Sequence, residues 1–422
     1  MKDDQRIQRG YAYARETYAR LGIDTDKAIA AAGAVPVSMQ CWQGDDVVGF
    51  DGAASLTGGI AVTGNYPGRA GSFDELRQDI AKAFTLVPGR KKLNLHACYA
   101  IKGAKKVDRD AYTIDEFAPW ADFAAELKVG LDFNPTYFSH PMMDGNLSLS
   151  SPDESRRLFW VEHGKRCREI ASAFARRLGE PCVVNFWMPD GMKDTCVNTA
   201  VFRERMTRSL DEIFADKAGL DTAPCAVESK LFGVGVESYT VVSHEYALGY
   251  AISRSLMACL DTGHFHPTEM VSAKISAVMA FLDRMLLHIS RPVRWDSDHV
   301  VALDDELQRI MDEIVWNGFT QRVAVGLDFF DASINRIACW GIGMRNARKA
   351  LLSSMLAPSD LIRKAEAQGD HTARLMLLEE RKTLPLGAVW DYFCLTQGVP
   401  EDGAWLAVVR DYEKSTLSAR GQ

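Results

Sequence analysis

Leu256–Asp261 (LMACLD) is a near-continuous apolar run that ends in a carboxylate. The helix-length segment Thr268–Met285 follows it, and then a second short run, Leu286–Val293 (LLHISRPV). Strands buried on both faces read as such runs, and helix-length spacers between them point to a parallel sheet. Working outward, the same unit recurs at Pro36–Trp42, Leu93–Tyr99, Leu127–Asn134, Cys182–Met188, Ala226–Phe232 and Val323–Phe329, which makes eight runs in all. Eight strand–helix units are the count of an α/β chain folded as a (β/α)8 TIM barrel.

The intervals support helices. Phe73–Phe84, Glu154–Leu178, Met206–Ala215, Glu245–Ser255, Thr268–Met285 and Asp304–Trp316 carry apolar residues at three-to-four spacing. Thr268 and Asp304 each precede such a pattern and read as helix caps. Ile7–Ala32 also reads as helical. After Ser333 only helical patterns remain: Asn346–Leu356, Ser359–Lys382, Leu386–Thr396 and Ala404–Leu417. The expected organisation is an N-terminal helical segment over 1–35, the barrel over 36–345 and a C-terminal helical extension over 346–422. The charge-rich Ser359–Lys382 is expected to be a solvated or subunit-facing helix pair.

Composition bounds the function. Of 422 residues 47% are hydrophobic and 25% charged, as in globular domains, and the formal net charge is −7. That charge disfavours a broad nucleic-acid footprint, which needs a basic face. No window holds 18 uninterrupted apolar residues, so no membrane span is expected. The nine cysteines include no Cys-x-x-Cys pair, and Met1–Arg6 is polar. Free thiols in a reducing cytoplasm are the expectation.

The chemistry sits between Glu228 and Asp328. Glu228, Asp261, Asp296, Asp298 and Asp328, with His264 and His288, lie in or just after four successive apolar runs. In a TIM barrel the C-terminal strand ends carry the catalytic groups. Five carboxylates gathered there repel unless cations lie among them, and two divalent ions nearly balance the set. A lone Asp after a strand is usually a turn former or cap; seven such groups at one end of four strands are not. Asp296 and Asp298 are two apart and would face one way on extended chain. The spacing of Asp261 and His264 needs a turn at Thr262-Gly263, which Gly263 would permit at low steric cost. Carboxylate with imidazole suits Mn²⁺, Mg²⁺ or Co²⁺.

Long motifs then resemble the L-rhamnose isomerase family. They are Cys41–Asp46 (CWQGDD), Thr57–Ile60 (TGGI), Gly64–Gly68 (GNYPG), Asn94–His96 (NLH), Gly130–Pro135 (GLDFNP), Pro189–Asp194 (PDGMKD), Val227–Gly233 (VESKLFG), Gly263–Thr268 (GHFHPT), Arg291–His299 (RPVRWDSDH) and Gly326–Ser333 (GLDFFDAS). The resemblance implies a xylose-isomerase-like TIM barrel, usually tetrameric, that interconverts L-rhamnose and L-rhamnulose with Mn²⁺, or with Co²⁺, Mg²⁺ or Zn²⁺. It implies that Glu228, Asp261, His288 and Asp328 hold a structural ion. His264, Asp296 and Asp298 would hold the catalytic ion, with Asp261 able to bridge.

The resemblance also assigns the substrate groups. Lys230 would contact the sugar oxygen at C1 or C2; the plain alternative is a buried ion pair with Glu228. His96 would hydrogen-bond the ring oxygen and help open the ring; the alternative is a core histidine. Trp187 would wall the sugar's C–H face, or simply pack. Val47, Leu56, Ile60 and Tyr99 would receive the C5–C6 end, where L-rhamnose carries a methyl. An apolar pocket rejects an added hydroxyl by only about 100-fold, so L-mannose, L-lyxose and D-allose are alternative substrates. A metal-bound water or hydroxide, oriented by Asp328 or Asp296, would move the O2 proton while hydride passes between C2 and C1; an enediol route with a carboxylate base stays open. His140, His266, Asp190 and Asp331 carry no role, and His163, His244 and His371 are expected at the surface. A metal-dependent nuclease or hydrolase would need a basic face, and a non-catalytic sugar-binding protein has no need of five clustered carboxylates.

Overall fold

The computed structural model describes residues 2–52, 56–58 and 60–420, which leaves Gly59 of the TGGI motif outside. Eight parallel strands close a barrel in chain order: β1 Val37–Gln40, β2 Lys91–His96, β3 Gly130–Asn134, β4 Val184–Trp187, β5 Cys225–Glu228, β6 Met257–Asp261, β7 Met285–Ile289 and β8 Val323–Leu327. Each of the eight apolar runs overlaps one of them. The TIM barrel is therefore the fold.

Strand parity divides the residues. Val37, Met39, Leu93, Leu95, Leu131, Phe133, Leu260, Leu287, Val325 and Leu327 face outward and join the main core with the helices. Alternate residues point into the barrel. There, Val183, Ala226, Met257, Cys259 and Leu286 form a separate apolar cluster. Burying each large aliphatic side chain contributes roughly 1.5–3 kcal/mol over leaving it exposed, so the outer shell dominates stability.

The helices match in most places and differ where the apolar period misleads. Phe73–Phe84, Glu154–Leu178 and Leu386–Thr396 have the expected ends. Asp304 caps Asp305–Trp316, accepting from the Leu307 amide at 2.9 Å. Thr268 caps nothing. Its hydroxyl meets His266 Nδ1 at 2.8 Å, and the helix runs only from Ser272 to Met279. The helix expected at Met206–Ala215 begins earlier, at Thr199, because its first two turns bury no side chain and so show no apolar period.

The termini pack together. Helices Lys2–Ala19 and Thr25–Ala34 join Leu386–Thr396 and the end of Arg336–Met355 in a second core around Tyr11, Tyr18, Leu352, Trp390 and Phe393. Tyr11 stacks on Tyr392 with ring centres 3.7 Å apart. The buried Arg348 guanidinium donates to the carbonyls of Val35 and Arg90, each at 2.6 Å. Those carbonyls lie one or two residues before β1 and β2, so the terminal helices cover the end of the barrel opposite the site. Position 345/346, the expected start of the extension, falls inside the helix Arg336–Met355. Among the described residues, no helix is long and apolar enough to cross a membrane, and all nine cysteines are free.

Candidate active site

Glu228 ends β5, Asp261 ends β6, His288 lies near the end of β7 and Asp328 follows β8. Register sets Asp261 beside His288 and His288 beside Gly326. Gly326 is needed for space: a Cβ there would lie 3.2 Å from the His288 ring. One ligand atom from each of Glu228, Asp261, His288 and Asp328 lies within 4.8 Å of the others. His288 Nδ1 is 3.1 Å from Glu228 Oε2, 3.4 Å from Asp328 Oδ2 and 3.9 Å from Asp261 Oδ2.

Two observations say what belongs among them. Both ring nitrogens of His288, and Nδ1 of His264, are buried without a hydrogen bond, although carboxylate oxygens stand close. Imidazole nitrogens and carboxylate oxygens that converge on one point in this way could hold a cation. Burial and the carboxylates of Glu228 and Asp328 push Asp261 well above the usual range, although His264 opposes. That is the penalty a divalent ion would remove. Cys259 also approaches Glu228 and His288. It belongs to the apolar layer beneath, and burial holds its thiol protonated well above its ordinary value.

The remaining three residues meet Lys230. His264 follows the turn after β6, its amide bonded to the Asp261 carbonyl at 3.1 Å. Gly263 serves this turn by being small. Its φ is not positive, but a Cβ there would lie 2.4 Å from Asp296 Oδ1. Asp296 Oδ2 stands 3.2 Å from His264 Nε2, and Lys230 Nζ contacts both, at 3.2 Å from the ring nitrogen. The ion partner of Lys230 is thus Asp296 and not Glu228. Burial lowers the ammonium, but Asp296 and Asp298 outweigh it and leave Lys230 above its ordinary value, hence charged. Asp298 reaches the same cleft by a different route from the extended chain expected, since its φ is +48° in an irregular loop. The cation in contact with His264 and Asp296 here is the ammonium, which fits the trio to positive charge. Asp298 does not join them at ligand spacing.

The opposite wall is aromatic. His96 at the end of β2, Trp187 at the end of β4, Val47 and Ile60 line the cleft with Trp42, Phe138 and Phe330. Lys230 Nζ lies 5.4 Å from the Trp187 ring centre, and Trp187 lies near-parallel to His264 at 6.4 Å. Burial pushes His96 down to about 4, against the pull of Asp328, so its ring is neutral near pH 7. Tyr99 and Leu56 are not brought to the cleft. Tyr99 is fully buried behind it and donates to Asp45 at 2.6 Å.

Comparison with known proteins supplies the deciding observation. The family model described as L-rhamnose isomerase (RhaA) matches residues 5–420. This chain belongs to the L-rhamnose isomerase family. It is 52% identical over 416 residues to L-rhamnose isomerase of Rhodopirellula baltica, covering 98% of this chain and 97% of that one. Against L-rhamnose isomerase of Mannheimia succiniciproducens it is 53% identical over 415 residues, covering 98% and 99%. A solved L-ribulose 3-epimerase shares the fold at 13% identity and a TM-score of 0.51, over 78% of this chain and 97% of that one.

Within this family member, several groups at the site escaped the sequence reading. Trp42 donates its indole N–H to Asp328 Oδ1 at 3.1 Å, and Asn185 donates to Glu228 Oε2. Trp42 stood in a quoted motif, and Asn185 is the inward neighbour of Trp187, two residues away. Phe138 had no signal, because it lies on a loop. His163, expected at the surface, is fully buried on Glu154–Leu178, where Arg109 O and the Thr136 amide bind its two nitrogens. His140 pairs with Asp108, His266 with Thr268, Asp190 with Ser148 and Ser150, and Asp331 caps Ser333; none joins the cluster.

Proposed function

We propose that this isomerase interconverts L-rhamnose and L-rhamnulose, aldose and ketose, by hydride transfer between C2 and C1 at a centre of two divalent cations, with Mn²⁺ the working ion. The observation that carries it is the convergence of Glu228, Asp261, His288 and Asp328 around unpartnered imidazole nitrogens, facing Lys230 across a small cleft. Glu228, Asp261, His288 and Asp328 would hold one ion. His264, Asp296 and Asp298, with Asp261 as a bridge, would hold the other. Bound there, divalent ions would supply Lewis acidity toward the sugar oxygens and a template for its orientation.

The chain's own residues do the rest. His96 offers a neutral imidazole to hydrogen-bond the sugar's ring oxygen and ease opening of the ring, an electrophilic use of neutral histidine. Lys230 keeps its charge and faces the oxygen at C1 or C2, where negative charge develops. Asp328 is 23% exposed at its side chain, against 2% for Glu228 and 3% for Asp261. It is therefore the carboxylate of the four that opens to the cleft and can take the O2 proton, while Asp296 is held by Lys230. Trp187, Phe138 and Trp42 form a wall that excludes water, and Val47 and Ile60 receive the methyl end. A dry wall favours a transfer that never releases its hydrogen to solvent.

The test is isotopic. L-Rhamnose carrying deuterium at C2 is turned over after metal depletion and Mn²⁺ restoration. Retention of the label at C1 is expected; washout would sink the hydride step. The exposed Leu375 and Met376 of helix His371–Glu380, a helix that buries no residue in the monomer, support a subunit contact within a homotetramer. Sedimentation reads the oligomer directly. The expected compartment is the cytoplasm.

A further inference from the structure

Thr136 is fully buried in the loop after β3. Its hydroxyl oxygen accepts from the Cys98 amide at 3.1 Å and lies 3.2 Å from His96 Nδ1. Among the described residues these are its hydrogen-bond partners, so the hydroxyl proton has one place to go, which is Nδ1. A hydroxyl proton left unbonded in a dry interior is costly. An Nδ1 that accepts carries no proton, and a neutral imidazole then carries it on Nε2; the His96 ring lines the cleft.

Thr136 cannot turn away. Its amide donates to His163 Nε2 at 3.0 Å, and its carbonyl accepts from Arg109 Nη1 at 2.8 Å. A backbone amide only donates, so His163 Nε2 is bare and its Nδ1–H points at the Arg109 carbonyl 3.0 Å away. Burial holds His163 down at about 3, so it stays neutral in this duty. Arg109 is itself fully buried, paired with Asp51 at 2.7 Å and bonded to the carbonyl of Phe138, which also lines the cleft.

We infer that Thr136 is a positioning residue that fixes His96 as the Nε2–H tautomer, with His163 and Arg109 clamping Thr136 in place. This rests on the reading of His96 as the group that meets the sugar's ring oxygen. The tautomer decides whether that oxygen meets a donor or a repelling lone pair.

A neutron structure of the Mn²⁺-loaded enzyme in D₂O tests the proton directly. Deuterium on His96 Nε2, with the Thr136 deuteron aimed at Nδ1, is expected; deuterium on Nδ1 overturns the inference. Kinetics give an independent reading. Thr136→Val lowers kcat/KM on L-rhamnose about 10-fold or more, a fraction of the roughly 100-fold that one aimed donor is worth, and Thr136→Ser restores it. In a His96→Ala background Thr136→Val adds nothing. An equal loss in both backgrounds makes Thr136 merely structural and overturns the positioning role. If His96→Ala alone leaves the rate unchanged, the role of His96 fails, while the neutron result still decides the tautomer.

Discussion

The two halves of the barrel interior are built on opposite plans. On β1–β4 the inward positions are Ser38, Gln40, Lys92, Asn94, His96, Asp132, Asn134, Asn185 and Trp187, polar but for the last. Several bond one another or nearby backbone: Lys92 pairs with Asp132, Asn134 donates to Asn94 at 2.6 Å, and Gln40 donates to the Phe329 carbonyl at 2.9 Å, while Ser38 Oγ, Gln40 Oε1 and Asn185 Oδ1 are buried without a partner. On β5–β8 the inward layer is Ala226, Met257, Cys259, Leu286 and Ala324, with Glu228, Asp261 and His288 immediately above. An apolar floor offers no donors. The donors that reach the carboxylates over it come from elsewhere: Asn185 to Glu228, Trp42 to Asp328 and the Gly263 amide to Asp261 at 2.6 Å. The difference teaches that the half carrying the candidate metal ligands is set apart by the apolar layer beneath them as well as by those residues themselves.

That contrast can be broken in order of effect. Glu228 faces His264 at 3.0 Å and His288 at 3.1 Å, so it touches both histidines of the candidate site. Glu228→Gln should cost far more in metal content and turnover than the roughly 10–100-fold of an outer-shell change, read by elemental analysis and a ketose assay. Retention of both would remove Glu228 from the centre. On the polar half, Lys92→Met strands a buried Asp132 carboxylate, which also accepts from the Val183 amide at 2.8 Å. A loss of about 3–5 kcal/mol in urea unfolding is expected, with Mn²⁺ affinity unchanged. A reversed pattern, with stability intact and metal lost, would erase the distinction between the halves.

Lys230→Met should lower kcat by about 100-fold and move KM much less, as loss of a transition-state contact does. An unchanged kcat would reduce Lys230 to a partner of Asp296. The smallest effect belongs to Trp42→Phe, which keeps the wall but removes the donor to Asp328. Metal affinity measured by competition with a chelator should fall by about 10-fold, and no change would mean that Asp328 needs no orienting partner.

Much of this was legible in the chain. The eight runs marked the strands because parallel strands buried on both faces are apolar over short lengths. Glu228, Asp261, His288 and Asp328 were readable as candidate ligands because carboxylates at strand ends have few other uses together, and the fold brings these four side by side. The polar lining of β1–β4 was also written, as alternation in Ser38/Gln40 and Lys92/Asn94/His96, but reading these runs as continuous apolar stretches hid it. Thr268 was misread because a threonine before an apolar period looks like a cap whether or not His266 takes its hydroxyl. His163 was misread because a histidine on a charge-rich helix carries no mark of which face it occupies.

By itself the sequence determined the barrel, the family and which residue types gather at one end, since strand period and motif are local properties. Only the tertiary structure decided that Lys230 opposes Asp296 rather than Glu228, that Gly263 and Gly326 clear space for Asp296 and His288, and that Tyr99 turns behind the cleft to Asp45. Those are contacts between segments tens of residues apart. Their choice depends on register, loop path and close packing, which no local pattern encodes.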